Sequence, residues 1–252
     1  INYTNQVNMI IVEIGLNHLG SKKILSEFLK KIPENVDGVS IQVISDEFFH
    51  NPKYSHLKLN DETLYDFINK LLLLGKKVGL AIDDHGKVGR FIPEKISFYK
   101  ILSKDIENKK LIDELKKTNA ESIYISTGMS DYKTLDKIVP QLVKSDKRIK
   151  LIHTQLSNSE NDVNLKAIET MRDRYKTPVA YGHHCSIVNV IYASLGFLPE
   201  AIFFYIKGNE NLEYPDNKHA VKIDFIKDLV DDLKSIKKSI GDGNKISMKN
   251  WA

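Results

Sequence analysis

The stretch Glu13-Ile14-Gly15-Leu16-Asn17-His18-Leu19-Gly20 places a carboxylate, an amide and an imidazole close together, fenced by two glycines. A carboxylate can hold or take a proton, an amide can anchor a hydroxyl, and an imidazole can move a proton or ligate a metal. The cluster follows the apolar run 9–12, which reads as a buried strand. It precedes Ser21, a helix-capping residue in front of the pattern Ile24, Leu25, Phe28, Leu29. The polar group therefore stands at the carboxyl end of a strand, where α/β sheets and barrels bind ligands. A polar turn that only joins two elements has the same composition.

The same placement recurs along the chain. Gln42 ends a second apolar run and Asp83-Asp84-His85 a third. Lys100 and Ser103 mark a fourth, Ser126-Thr127-Gly128 a fifth and His153 a sixth. His183-His184-Cys185 and Lys207 follow at the seventh and eighth. Each has a structural alternative. Lys100 could snorkel from a strand end, Ser126 could sit in a cap, and His153 could be a satisfied core histidine. Together they are hard to explain as packing. Lys100 with Ser103 and Ser126 is what a phosphate or carboxylate requires. His184 reads as a metal ligand, and Glu13 as a general base or hydroxyl anchor.

The elements that must position these groups alternate regularly. Strand-like runs recur near 9–14, 38–43, 78–82, 97–102, 122–126, 150–153, 179–181 and 201–206. Amphipathic helical patterns lie between them. Over 63–74, Leu64, Phe67, Ile68 and Leu71 share a face. Helical patterns also cover 110–117 and 132–143, where Pro140 is expected to bend or end the helix, and 221–240. About eight strand–helix units in this length predict one (β/α)8 TIM barrel over residues 1–252, with a doubly wound open sheet as the alternative. The loop 46–60, with Phe48, Phe49 and Tyr54, reads as surface or as a lid.

Bulk properties narrow the function classes. Thirty-seven basic against 33 acidic residues give a net charge of +4, dispersed without a basic block, so nucleic acid is not an expected partner. No apolar run approaches membrane-spanning length, and residues 1–8 lack a signal-peptide pattern. The lone Cys185 excludes an intramolecular disulfide and fits a reducing compartment, so a cytoplasmic location is expected.

In this order the motifs resemble those of the sialic acid synthase family, N-acetylneuraminate synthase and its legionaminate, pseudaminate and spore-coat relatives. Glu13-Ile14-Gly15-x-Asn17-His18-x-Gly20 resembles the family's opening motif. Tyr99-Lys100-Ile101-x-Ser103-x-Asp105 resembles its phosphoenolpyruvate-binding fourth strand, and Ile125-Ser126-Thr127-Gly128-Met129 its fifth. His153 followed by Asn164-Leu165 is similar to the region after strand six. Tyr181–His184 occupies the place of a Gly-Tyr-Ser-Asp-His motif, and Pro215-Asp216 that of a Gly-Pro-Asp. The resemblance implies a TIM barrel that condenses phosphoenolpyruvate with an N-acetylated hexosamine to a nonulosonic acid. It adds His184, at the metal-binding histidine, to Glu13 as a catalytic position. It also implies Asn17, His18, Gln42, Lys100, Ser103, Ser126, His153, Asn164, Tyr181 and Asp216 as substrate-binding positions. A divalent metal, manganese or magnesium, would polarise the acceptor aldehyde from His184. A homodimer is a further implication.

The chain also departs from the family pattern. Ser40 stands where the family has a lysine, Ala81-Ile82-Asp83 replaces Thr-Pro-x-Asp, and His153-Thr154 replaces His-Cys. After strand eight, Phe204-Tyr205-Ile206-Lys207-Gly208 lacks the glutamate and the second metal histidine of Glu-Lys-His-Phe. Lys207 is the candidate to stand in for that ligand as an electrophile. The antifreeze-like domain of the full synthases has no counterpart in these residues. Two other functions stay open: a barrel that binds a sugar or phosphorylated ligand without condensation, and a lyase or aldolase with a Schiff base at Lys100 or Lys207.

Overall fold

The computed structural model describes residues 9–91, 95–208, 211–241, 243 and 244; the expectation on residues 1–8 lies outside them. Eight parallel strands close on themselves: β1 (Met9–Gly15), β2 (Gly38–Val43), β3 (Lys77–Ile82), β4 (Phe98–Ile101), β5 (Ser122–Ser126), β6 (Ile149–His153), β7 (Val179–His183) and β8 (Ala201–Lys207). They pair in sequence order, and β1 pairs with β8 from Met9 opposite Ala201 to Glu13 opposite Tyr205. That pairing excludes the open sheet. A short β9 (Val221–Lys222) adds to the end of β8.

The outer ring follows from helical periodicity and capping. Helix α1 (Lys22–Lys31) begins at Ser21, whose hydroxyl accepts from the Ile24 N–H, as the sequence indicates. Then come α2 (Asp61–Leu73), α3 (Lys109–Lys116), α4 (Tyr132–Ser145), α5 (Ala167–Tyr175), α6 (Asn189–Ser194) and α7 (Ile226–Ile240). Three expectations need correction. Among the described residues the β3–β4 connection carries only a 3-10 turn, His85–Lys87. Of the two outcomes expected at Pro140, ending the helix is overturned: α4 runs on to Ser145, with Pro140 on its exposed face, where the carbonyl it leaves unpaired can meet water. The pattern over 221–240 splits into β9, a 3-10 turn at Ile223–Phe225 and α7.

Two apolar layers hold the barrel. The larger joins the outward faces of the strands to the helices. The smaller fills the lower interior with Ile11, Phe98, Tyr124, Ile152, Ala180, Ala201 and Phe203. Period-two alternation from these residues sets which side chains point inward above them: Glu13 from β1, Ser40 from β2, Lys100 from β4, Ser126 from β5, Thr154 after β6, Gly182 in β7 and Tyr205 from β8. The loop 46–60 is packed rather than free, since Leu16, Ile44 and Leu57 form a buried cluster against Phe48, Phe49 and Tyr54.

Candidate active site

The polar interior is built on an ion pair at its centre. Lys100 Nζ donates to Glu13 Oε1 at 2.6 Å, with side chains 4% and 2% exposed. The ammonium also lies 5.6 Å from the Phe203 ring centroid and 5.5 Å from that of Tyr205, so its floor is aromatic. Beside it, Ser103 donates to Ser126 at 2.9 Å, and Ser103 Oγ accepts the Gly128 N–H at 3.1 Å. Strand four thus supplies a cation, and the 3-10 turn after it and strand five supply hydroxyls.

The opening motif does its work through the loop after β8. Asn17 donates its amide to the Ile206 carbonyl at 2.8 Å and accepts the Asp216 N–H at 3.1 Å. One buried side chain therefore ties the first βα loop to the eighth and sets the height of Asp216. Gly15 is obligatory there. Its φ is +54°, and a Cβ would lie 2.6 Å from Tyr205 Cε1 and 3.0 Å from Asp216 Oδ2. His18 is spent on the turn: its Nδ1 accepts the Gly20 N–H at 3.0 Å, and burial holds its pKa down at about 4.

The eighth loop also delivers an imidazole that sequence reasoning did not single out. His219 lies against His184, ring centroids 4.5 Å apart and 30° from parallel, with Tyr205 5.4 Å from His184 and 5.2 Å from His219. His219 Nε2 is buried without a hydrogen bond and lies 3.5 Å from Asp216 Oδ1. The only sequence signal for it was Pro215-Asp216 just upstream, since the loop has no periodicity to read.

Burial and charge set the proton states. Asp216 is pushed up to about 7 by burial and by the Glu13 carboxylate, with Lys100 opposing. His184 falls well below the ordinary imidazole value through burial, then through His219 and Lys100. His219 falls to about 4 through burial, Lys100 and Lys207. Tyr205 is held protonated by burial and by its acidic neighbours Glu13 and Asp216. The cluster thus contains two neutral imidazoles and a carboxyl near its midpoint at neutral pH.

The remaining sequence candidates differ in where they point. His153 points away from the interior: its Nε2 meets the Val163 carbonyl at 2.8 Å, and burial lowers its pKa. Tyr181 lies in the outer apolar layer, its hydroxyl 3.1 Å from His183 Nδ1, while burial and the nearby His219 hold the His183 pKa down at about 3. Asn164 is exposed, in left-handed backbone with φ 48°. Gln42 shares the inward face of β2 with Ser40, level with Ala81 and Lys100 across the sheet, and also borders a small crevice with His18, Asp46 and Lys87. Lys207 donates to the Asn217 carbonyl at 2.6 Å and to Asn217 Oδ1 at 2.8 Å, which ties it to the eighth loop.

For a divalent cation, the fitting donors are the His184 and His219 nitrogens, neutral as ligands must be, with an unpartnered Nε2. Among the described residues no group of three or more His, Cys, Asp and Glu is arranged to hold a metal. Any further ligands would be water or substrate. No helix among the described residues is long and apolar enough to cross a membrane.

Comparison with known proteins agrees with this geometry. An uncharacterised protein of Methanocaldococcus jannaschii is 27% identical over 95% of this chain and 74% of its own length. The N,N'-diacetyllegionaminic acid synthase of Campylobacter jejuni is 25% identical over 96% of this chain and 80% of its own. Among solved structures, an N-acetylneuraminic acid synthetase from Leptospira borgpetersenii superposes with a TM-score of 0.86 at 20% identity, covering 97% of this chain and 89% of that one. The NeuB family model matches residues 84–245, from the end of β3 through α7. With the polar cluster closed by its own eighth loop, and with relatives named as acid synthases, this chain is an enzyme of the synthase class and belongs to the NeuB family.

Proposed function

We propose that the protein condenses phosphoenolpyruvate with an N-acetylated hexosamine-type aldehyde to give a nonulosonic acid. The observation that carries this reading is the buried Lys100 ammonium beside the Ser103–Ser126 pair, an anion site at the carboxyl end of the barrel. In the reaction the methylene carbon of the donor bonds to the aldehyde carbon, and the aldehyde oxygen takes a proton. Water adds to the donor's second carbon, and the tetrahedral intermediate expels phosphate to leave the 2-keto acid.

Each group has a task in that sequence. Lys100, Ser103 and Ser126 bind the donor's anionic groups and hold it in line, which lowers the entropic part of the activation barrier. An anion arriving at Lys100 competes with Glu13 for the ammonium, so donor binding frees the carboxylate to accept a proton. Asp216, near its midpoint at neutral pH, can supply the proton the aldehyde oxygen needs. Asn17 fixes the loop that carries Asp216 and His219. A magnesium or manganese ion held at His184 and His219 would polarise the acceptor carbonyl. Lys207 braces the same loop through Asn217. A homodimer and a cytoplasmic location belong to this proposal.

The test is release of inorganic phosphate from phosphoenolpyruvate in the presence of N-acetylated hexosamines, with the 2-keto acid identified by mass. Release that requires the acceptor supports the reading. Stable binding of both substrates without phosphate release would replace it with a barrel that only binds.

A further inference from the structure

We propose that Thr154, noted in the sequence only as a departure from the family pattern, is a substrate-binding residue whose hydroxyl donates to the anionic donor held by Lys100, Ser103 and Ser126. This rests on the function proposed above.

Thr154 follows β6, and with Ile152 in the interior core, alternation turns Thr154 inward and His153 outward. It is 3% exposed, and its Oγ1 is buried without a hydrogen-bond partner. A hydroxyl left this way costs free energy unless something in use of the site satisfies it. Its neighbour Thr127 shows the contrast, because that hydroxyl is spent on the Ile152 carbonyl at 2.8 Å.

Two glycines make the place for Thr154. A Cβ on Gly128 would lie 2.9 Å from Thr154 Cγ2 and 3.1 Å from Ser103 Oγ, so the Thr154 methyl and the Ser103 hydroxyl border the same space beside Gly128. A Cβ on Gly182 would lie 3.2 Å from Thr154 Cβ and 3.4 Å from its Oγ1. Gly182 therefore leaves open the space on β7 that the Thr154 hydroxyl borders. The motif that Tyr181–His184 resembles has a serine at the place of Gly182, and this chain has threonine where the resembled sixth strand has cysteine. A hydroxyl lost from strand seven is restored from strand six, beside the same patch.

Titrating phosphoenolpyruvate at low salt into wild type, Thr154→Val and Thr154→Ser, by calorimetry, tests this. Thr154→Val keeps the shape and removes the donor, and should weaken binding about tenfold or more. Thr154→Ser keeps the hydroxyl and should stay within about threefold of wild type. Thermal midpoints report whether each variant is folded, and Thr154→Ala replaces the valine variant if that one is not. Equal affinity in wild type and the folded hydroxyl-less variant would overturn the role of Thr154 while leaving the proposed reaction standing. Wild type that does not bind phosphoenolpyruvate at all would overturn both.

Discussion

Lys100 and Glu13, 87 positions apart in sequence, meet at 2.6 Å in the barrel interior with almost no exposure. Removing one member of such a pair leaves the other charge buried alone. Lys100→Met is expected to lose about 3–5 kcal/mol of stability, with phosphoenolpyruvate binding lost as well. Lys100→Met combined with Glu13→Gln should recover most of the stability and none of the binding. Chemical denaturation of the three proteins checks it; an additive loss in the double variant would show that the pair is not coupled.

Asp216 should make stability depend on pH with an unusual sign. Its folded pKa, about 7, lies above the ordinary 3.8, so the folded state binds more protons between the two values. Stability from this group is full below pH 4 and falls as pH rises toward 7, by on the order of 4 kcal/mol. The buried histidines His18, His184 and His219 have lowered values and act oppositely, losing stability as pH falls. The difference between wild type and Asp216→Asn isolates the carboxyl. Asp216→Asn should gain on wild type as pH is raised from 4 to 7.5, whereas parallel stability profiles would refute the shift.

The fold was legible because the strand-forming runs are short, apolar and evenly spaced. The candidate site was legible only where a motif coincided with a strand end. His153 and Thr154 show the gap: the imidazole drew the eye, yet period-two alternation from Ile152 sends it outward and the threonine inward. His219 was hidden for another reason. It reaches His184 through a loop whose path is set by the Asn17–Asp216 hydrogen bond, a contact 199 positions long that no local pattern announces.

Gly15→Ala should be costly despite its small size. It forces a side chain into left-handed backbone and against Tyr205, so a loss of about 2–4 kcal/mol is expected, with Asp216 displaced. A thermal midpoint within about 2 °C of wild type would contradict this packing.

The two candidate electrophiles make opposite predictions. Lys207 is engaged by Asn217, whereas His219 Nε2 makes no hydrogen bond. Turnover should therefore vanish with a strong chelator and return with manganese or magnesium. Lys207→Met should keep measurable turnover, while His184→Ala and His219→Ala should not be restored by metal. Turnover that survives the chelator and disappears in Lys207→Met would instead make the ammonium the electrophile.

The central claim is that the Lys100 patch holds a phosphoenolpyruvate that reacts with an amino-sugar aldehyde. The direct measurement is the rate of phosphate release from phosphoenolpyruvate with and without a panel of N-acetylated hexosamines, in wild type and Lys100→Met. The account predicts acceptor-dependent release by wild type, a 2-keto acid product in equal amount, and neither in Lys100→Met. Acceptor-independent release, or equal rates in the two proteins, would contradict it.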